Sequence, residues 1–163
     1  MPGRTFLLVA LAVAGLTACG AVTDPLEGEP DPRPIIGDWY TPRLTASPEI
    51  YRTRIRGGAP MFGEFRFPLH GRTWFVQFRD ARWNGRTLSF TTRTDFGLAL
   101  ADSTVHWVAT RTPASGQPGS ASWSPARLTL AAHTVDGIAF TWDYFRFDDL
   151  VALIPELEDA PVR

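Results

Sequence analysis

From Gly37 onward, apolar and polar residues alternate with a period of two, and this alternation is the feature that most constrains the fold. Six segments show it clearly: residues 51–56, 74–79, 88–95, 105–110, 127–133 and 138–144. Successive side chains of a strand point to opposite faces of a sheet, so the pattern predicts strands with one buried face. Further strands are predicted near Trp39 and near Phe65 and Phe67, which makes eight.

The connections between these segments carry the residues of tight turns. Asn84 and Asp136 are each followed by glycine. Both pairs favour two-residue hairpin turns, because both central positions tolerate positive φ. No amphipathic run of ten or more residues separates the strands, so parallel strand–helix–strand units are not expected. The sequence predicts an all-β antiparallel meander that closes into a barrel, with a β-sandwich as the alternative.

The N-terminus carries an export signal. Arg4 precedes an apolar run at residues 6–14, and small residues precede Cys19, the single cysteine of the chain. These are the parts of a secretory signal, and the run is shorter than the roughly 20 residues that cross a bilayer. The stretch Leu16-Thr17-Ala18-Cys19 resembles the lipobox of bacterial lipoproteins. An ordinary signal peptide that contains a cysteine is the alternative.

The lipobox resemblance implies an anchor and a location. The signal peptide, residues 1–18, would be cut before Cys19, and the Cys19 thiol would carry the lipid. The mature chain is then exported and attached to a bacterial membrane through its acyl chains, without crossing it. Gly20 stands where an Asp often signals retention in the inner membrane, which favours the outer membrane, facing the periplasm or the cell surface.

The rest of the chain divides into three parts. Residues 19–36 are rich in proline and acidic residues and are predicted to form an extended tether, with an arm packed on the domain as the alternative. Residues 37–147 form the predicted barrel. Residues 148–163 form an acidic C-terminal tail, in which Pro155 limits any helix to a turn or two.

The start of the barrel supports a second resemblance. Gly37-Asp38-Trp39 resembles the Gly-x-Trp motif that opens lipocalin-like barrels. The resemblance implies that Trp39 plugs one end of the barrel and stacks on an arginine from the last strand, for which Arg146 has the right position.

The predicted barrel interior is rich in aromatic residues. The candidate ligand-binding residues are Trp74, Phe78, Phe90, Trp107, Phe140 and Trp142. An eight-stranded barrel either holds one small ligand or is filled by its own side chains. In the first case these rings line an apolar pocket and threonines such as Thr53, Thr92 and Thr94 orient the ligand. Trp123, in the long connection 112–125, is a possible lid over the mouth or packs on the outer face.

Catalytic and metal-binding patterns are missing from the sequence. His70, His106 and His133 show no metal-ligand spacing, and no nucleophile elbow or phosphate-binding glycine loop occurs. Asp80 and Asp95 are a weak candidate for a carboxylate pair. We therefore predict no enzymatic activity, no metal and no cofactor.

Charge is unevenly distributed along the chain. The formal net charge is −1, so nucleic acid is not an expected partner. Between Trp39 and Trp142, however, the sequence contains twelve arginines and six acidic residues, a net charge of +6. The segments on either side are acidic. Arg52, Arg54 and Arg56 share one strand face, where they either contact anionic lipid headgroups or polyanions, or pair with the acidic ends.

Two functions of different class follow from the sequence. The leading prediction is a membrane-anchored envelope lipoprotein whose barrel binds a small hydrophobic ligand, as a carrier or sensor. The alternative is an envelope structural or protein-interaction module with a filled interior and no ligand.

Overall fold

The computed structural model describes residues 30–58, 60–93, 104–134 and 137–163, so the predicted signal peptide, Cys19 and residues 20–29 lie outside the described residues. The strands are β1 (Gly37–Arg43), β2 (Glu49–Arg56), β3 (Met61–Leu69), β4 (Arg72–Trp83), β5 (Thr87–Arg93), β6 (Thr104–Thr112), β7 (Arg127–Thr134) and β8 (Gly137–Phe145). A helix, α1 (Phe147–Leu153), and a 3-10 helix (Pro155–Leu157) follow. Within the described ranges, no helix has the length and apolarity needed to cross a membrane.

The eight strands form one closed antiparallel barrel in chain order. Each strand pairs with the next, and β8 returns to β1 through the pair Tyr40 and Phe145. The all-β meander and the closed barrel are therefore confirmed, and the sandwich alternative is wrong. Consecutive strands lie adjacent throughout, so the sheet closes where the last strand meets the first.

The alternation read from the sequence sets which side chains face inward. On β2, Tyr51, Thr53 and Ile55 are fully buried, whereas Arg52 and Arg56 are exposed. β3, β4 and β6 repeat the pattern, and their inward side chains join one hydrophobic core. The period of two thus translates directly into an apolar interior and a polar outer face.

The turns are built as their residues require, with one difference. His70 and Gly71 both have positive φ, at 50° and 75°, which is the two-residue hairpin geometry. The same geometry was expected at Asn84 and Gly85, but only Gly85 has positive φ there, at 91°. The Asn84 side chain instead accepts hydrogen bonds from the backbone N–H groups of residues 86 and 87, which stabilises a three-residue connection. The turn at residues 135–136 lies outside the described residues.

Ordered structure begins before Gly37. Residues 32–36 form a turn in which the Ile35 N–H donates to the Pro32 carbonyl at 3.0 Å, and the Ile35 side chain is fully buried in the core. The Trp83 indole N–H donates to the Asp31 carbonyl at 2.9 Å. Residues 30–36, predicted as part of the tether, therefore pack against one end of the barrel.

The segment after the barrel also packs against it. α1 and the 3-10 helix bury Leu150 and Leu157 against Ile50, with Tyr40 and Phe145 beside them, on the outer face of the barrel. The predicted acidic tail is thus held by an apolar contact, because its Leu and Ile side chains cover outward apolar residues of β1, β2 and β8.

Residues 161–163 extend the sheet at β2. On β2, the described pairing with β3 covers residues 54–56. Farther along β2, residues 161–163 make three backbone hydrogen bonds to the strand. Ile50 donates to the Pro161 carbonyl at 3.0 Å and accepts from the Arg163 N–H at 2.8 Å. The Arg52 N–H donates to the backbone oxygen of Arg163 at 3.0 Å. The C-terminal segment thus takes the place of β3 where the two strands diverge.

Removal of residues 161–163 should lower the free energy of unfolding by about 2–3 kcal/mol, since three backbone hydrogen bonds are lost at roughly 1 kcal/mol each. Urea denaturation followed by tryptophan fluorescence measures the change. The matched variant Arg163→Ala keeps the backbone bonds and loses only the surface ion pair with Glu49, so it should cost less than about 1 kcal/mol. An unchanged stability of the truncated chain would contradict this role of the segment.

Candidate functional site

The six aromatic residues predicted to line a pocket lie in two groups. Phe78, Phe90 and Trp107 are buried in the core. Trp74, Phe140 and Trp142 are partly buried and pack against the same core. Strand direction places the second group toward the end of the barrel where β3 turns into β4 and β7 into β8. We call this the open end, as a label that distinguishes it from the end that Trp39 closes; residues 94–103, which connect β5 to β6, lie outside the described residues.

The interior rings contact one another instead of surrounding a space. Phe78 and Phe90 stack with their centroids 4.6 Å apart, and Phe67 stacks on Trp142 at 4.1 Å. Phe65 connects the layers, with its ring centroid 5.7 Å from that of Phe78 and 5.9 Å from that of Phe90. Such offset contacts at 4.5–7 Å are favourable packing geometry for rings. Within the described residues, the middle of the barrel is filled.

Sequence reasoning missed three of the interior rings. Phe65, Phe67 and Tyr144 are fully buried, although only their strands had been predicted. A signal was available, because Tyr144 continues the alternation of Phe140 and Trp142 along β8. Residues four apart on a strand lie on one face, so the side chain of Tyr144 had to point inward with the others.

The hydroxyl groups in the barrel interior form hydrogen bonds with other groups of the protein. Thr92 Oγ1 accepts a hydrogen bond from the Trp107 indole at 2.8 Å. Thr53 Oγ1 accepts from the Arg66 N–H at 2.9 Å, and the Tyr144 hydroxyl donates to the Arg66 carbonyl at 3.0 Å. Burial raises the pKa of Tyr144 well above its usual range, so it stays a neutral donor. The threonines expected to orient a ligand thus satisfy buried groups of the barrel itself, while Thr94 lies outside the described residues.

Trp39 and Arg146 close the other end. Arg146 Cζ lies 4.1 Å from the centroid of the Trp39 ring, which is fully buried. The Arg146 guanidinium donates from Nη1 to the Asp38 carbonyl at 2.8 Å and from Nη2 to the Ile36 carbonyl at 3.0 Å. Gly37 is required there, because it has a φ of 115° and an added Cβ would stand 2.9 Å from Arg146 Nη1.

The charges around this closed end are balanced by specific contacts. Partial burial lowers the pKa of Arg146, while the nearby Asp38 opposes that shift. The hydrogen bond from Arg54 Nε to Asp38 Oδ1, at 2.8 Å, holds the pKa of Asp38 below its usual value. Asp38 therefore stays ionised near neutral pH, and it faces both arginines.

The possible lid residue lies at the same closed end. Trp123 is partly buried in the connection between β6 and β7, where its backbone N–H donates to the Ser120 carbonyl at 3.0 Å. A bridge between Ser115 and Ser124 shapes this connection. Trp123 therefore lies at the opposite end of the barrel from Phe140 and Trp142.

Two hollows formed by described residues lie on the outside of the barrel. The larger, of about 400 Å³, crosses the outer face of β2, β3 and β4. The smaller, of about 340 Å³, lies against β4, β5 and β6, beside Asp80 and His106. The lining of the larger hollow is dominated by arginine, which makes it the more distinctive of the two.

In the described ranges, no cluster of three or more His, Cys, Asp or Glu side chains could hold a metal ion. His106 and His133 are cross-strand neighbours, and His70 lies in a turn at the open end. Asp95, the proposed partner of Asp80, lies outside the described residues. No protein-family model, curated protein or solved structure matches this chain.

Replacement of Arg146 by Met should lower the free energy of unfolding by about 3 kcal/mol, because two charge-assisted hydrogen bonds and a cation–π contact are lost. Arg146→Lys keeps the charge but cannot reach two carbonyls in the same fork geometry, so it should recover only part of the loss. Chemical denaturation measures both variants, with the exposed Arg72→Met as the control. Equal stability of all three variants would contradict the closing role of Arg146.

Proposed function

We propose that the chain is an exported lipoprotein, anchored through Cys19, whose barrel works through its outer surface and carries no ligand inside. The filled interior is the observation that carries this proposal. Phe65, Phe78 and Phe90 occupy the space that a ligand would need in a small barrel. The proposal assigns no catalytic role to the chain and needs neither a cofactor nor nucleic acid.

The anchor is supported by the order of residues at the N-terminus. The lipobox-like stretch ends at Cys19, and the described structure begins at Pro30. Residues 30–36 pack at the closed end of the barrel, where the Trp39 indole N–H donates to the Ile35 carbonyl at 2.8 Å. An acylated Cys19 would therefore attach the barrel to the membrane through the segment at its closed end, with the outer membrane as the preferred location.

Replacement of Cys19 by Ser should move the protein from the membrane fraction to the soluble fraction of the envelope. The reason is that two or three acyl chains, at about 0.8 kcal/mol per buried methylene, supply the attachment. Fractionation of cells followed by immunodetection measures the distribution. Ala18→Gly, which keeps a small residue before the cysteine, is the control and should stay attached. An unaltered membrane fraction for Cys19→Ser would refute the anchor.

The filled interior predicts that the purified protein carries no small molecule. Native mass spectrometry should give the mass of the chain and its acyl groups alone, and benzene should leave the NMR signals of the interior unchanged. Phe78→Ala should create an apolar void beside Phe65 and Phe90, and such voids bind benzene. Phe75→Ala, at a neighbouring side chain that is 63% exposed, should not bind it. A bound apolar molecule in the unmodified protein would contradict the filled interior.

A second candidate function is the carrier or sensor of a small hydrophobic ligand. The partly buried rings of Trp74, Phe140 and Trp142 favour it, because they face the open end of the barrel. A ligand there would sit on the rim formed by these rings and not deep in the barrel. Quenching of tryptophan fluorescence by an apolar probe, abolished in Trp142→Leu and kept in Trp83→Leu at the other end, would support this candidate.

A further inference from the structure

The outer face of β2, β3 and β4 carries a groove rich in arginine, which we call the basic groove. Its volume is about 400 Å³. The cationic residues that line it are Arg52, Arg54, Arg56, Arg66 and Arg79. Glu64 is the acidic residue in the lining, and Gln77 and Phe62 complete the part that the argument uses. Three adjacent strands thus direct five positive charges toward one hollow.

Two of the five arginines are already paired. Arg54 Nε lies 2.8 Å from Asp38 Oδ1, and Arg66 Nε lies 2.8 Å from Glu64 Oε1. Arg52, Arg56 and Arg79 are exposed and form no salt bridge with any residue that the structure describes. The groove therefore keeps about three positive charges that the surrounding described side chains do not pair.

The acidic C-terminal segment does not neutralise these charges. It packs through Leu150 and Leu157 beside Ile50, at the other end of β2 from Arg56. None of its described carboxylates, from Asp148 to Asp159, forms a salt bridge with an arginine of the barrel. Among the described residues, the alternative in which the acidic ends pair with the arginine face is thus realised only through Asp38 and Arg54. The described side chains therefore leave the groove able to accept an external anion.

The groove lies near the segment that leads to Cys19, and this position indicates which kind of anion it meets. The Arg56 end of β2 leads into Gly57, where an added Cβ would stand 2.8 Å from Ile36 Cδ1. The groove therefore begins beside the segment that leads back toward Cys19. Ten residues lie between Cys19 and Pro30, so the barrel cannot stand more than roughly 40 Å from an acylated cysteine.

An exposed aromatic side chain accompanies the charges. Phe62 lines the groove and is 47% exposed, and Phe75, on the same outer face, is 63% exposed. Basic residues combined with exposed apolar rings are typical of surfaces that lie against a membrane, because the rings enter the boundary between headgroups and acyl chains while the cations contact phosphates. A soluble polyanion would need the charges but not the rings.

We propose that the basic groove binds the phosphate groups of anionic lipid headgroups in the membrane to which the chain is attached. The planar guanidinium groups of Arg52, Arg56 and Arg79 suit phosphate oxygens, which they contact through paired N–H donors. The contact would lay the β2–β4 face of the barrel against the membrane. This inference rests on the proposed membrane attachment, and it identifies the outer surface that the attached barrel uses.

The test measures vesicle binding without the anchor. The chain from residue 19 with Cys19→Ser keeps every described residue, and hence the whole closed barrel. Vesicles of phosphatidylcholine alone are compared with vesicles that also contain phosphatidylglycerol, by co-sedimentation at low and high salt. We expect binding only to the anionic vesicles and release by salt, since headgroup attraction is screened.

The matched variants distinguish the groove from net charge. Each basic residue near an anionic surface contributes about fivefold to binding, so R52E/R56E/R79E should weaken binding by on the order of 100-fold. R72E/R82E/R86E changes the net charge equally at exposed arginines outside the groove, and it should bind within about threefold of the parent chain. Phe62→Ser should weaken binding without any change of charge.

Three outcomes would overturn the proposal. The first is absence of binding to anionic vesicles. The second is an equal loss of vesicle binding in R52E/R56E/R79E and R72E/R82E/R86E. The third is binding of heparin by the groove without binding of vesicles, which would point to a soluble polyanion. Circular dichroism confirms that each variant is folded before it is compared. The anchor is tested separately by the Cys19→Ser fractionation in cells. A negative vesicle experiment therefore does not affect the fractionation result, and a negative fractionation experiment does not affect the vesicle result.

Discussion

The closure of the barrel between its first and last strands is the constraint on which the rest of the structure depends. Among the described residues, the ladder there has a single pair, Tyr40 with Phe145, so side chains supply much of the closure. Arg146 reaches from the end of β8 to the carbonyls of Ile36 and Asp38 and covers Trp39. α1 then covers the same seam from outside. Without this closure the edges of β1 and β8 would be open to pairing with other chains.

Closure also fixes the volume that the inward side chains must share. An eight-stranded barrel encloses a small volume. Here it is occupied by contacting aromatic rings, among them Phe65, Phe67, Phe78 and Phe90. Where β2 and β3 diverge, Thr53 and Tyr144 satisfy the backbone of Arg66, because a buried polar group without a partner would be costly. The interior therefore stabilises the fold, and what distinguishes this barrel chemically is on its outside.

The total charge is near neutral, but the fold gathers several arginines on one outer face of the barrel. Arginines at alternate positions of β2 point outward together, and β3 and β4 bring more beside them. The C-terminal segment packs on the barrel through apolar contacts and pairs with β2 as far as Arg52, but none of its described carboxylates from Asp148 to Asp159 forms a salt bridge with these arginines. Burial of a few Leu and Ile side chains thus decides where the charges of the chain lie relative to one another.

The sequence by itself determined the all-β class, all eight strands and the inward parity along β2 and β4, because alternation is a local property of the backbone. The meander order followed from the short connections. Only the tertiary structure decided that the interior is filled, that residues 30–36 and 147–163 pack on the barrel, and that the turn after Asn84 has three residues. Those outcomes depend on volumes and contacts between residues far apart in the chain, which no local pattern encodes.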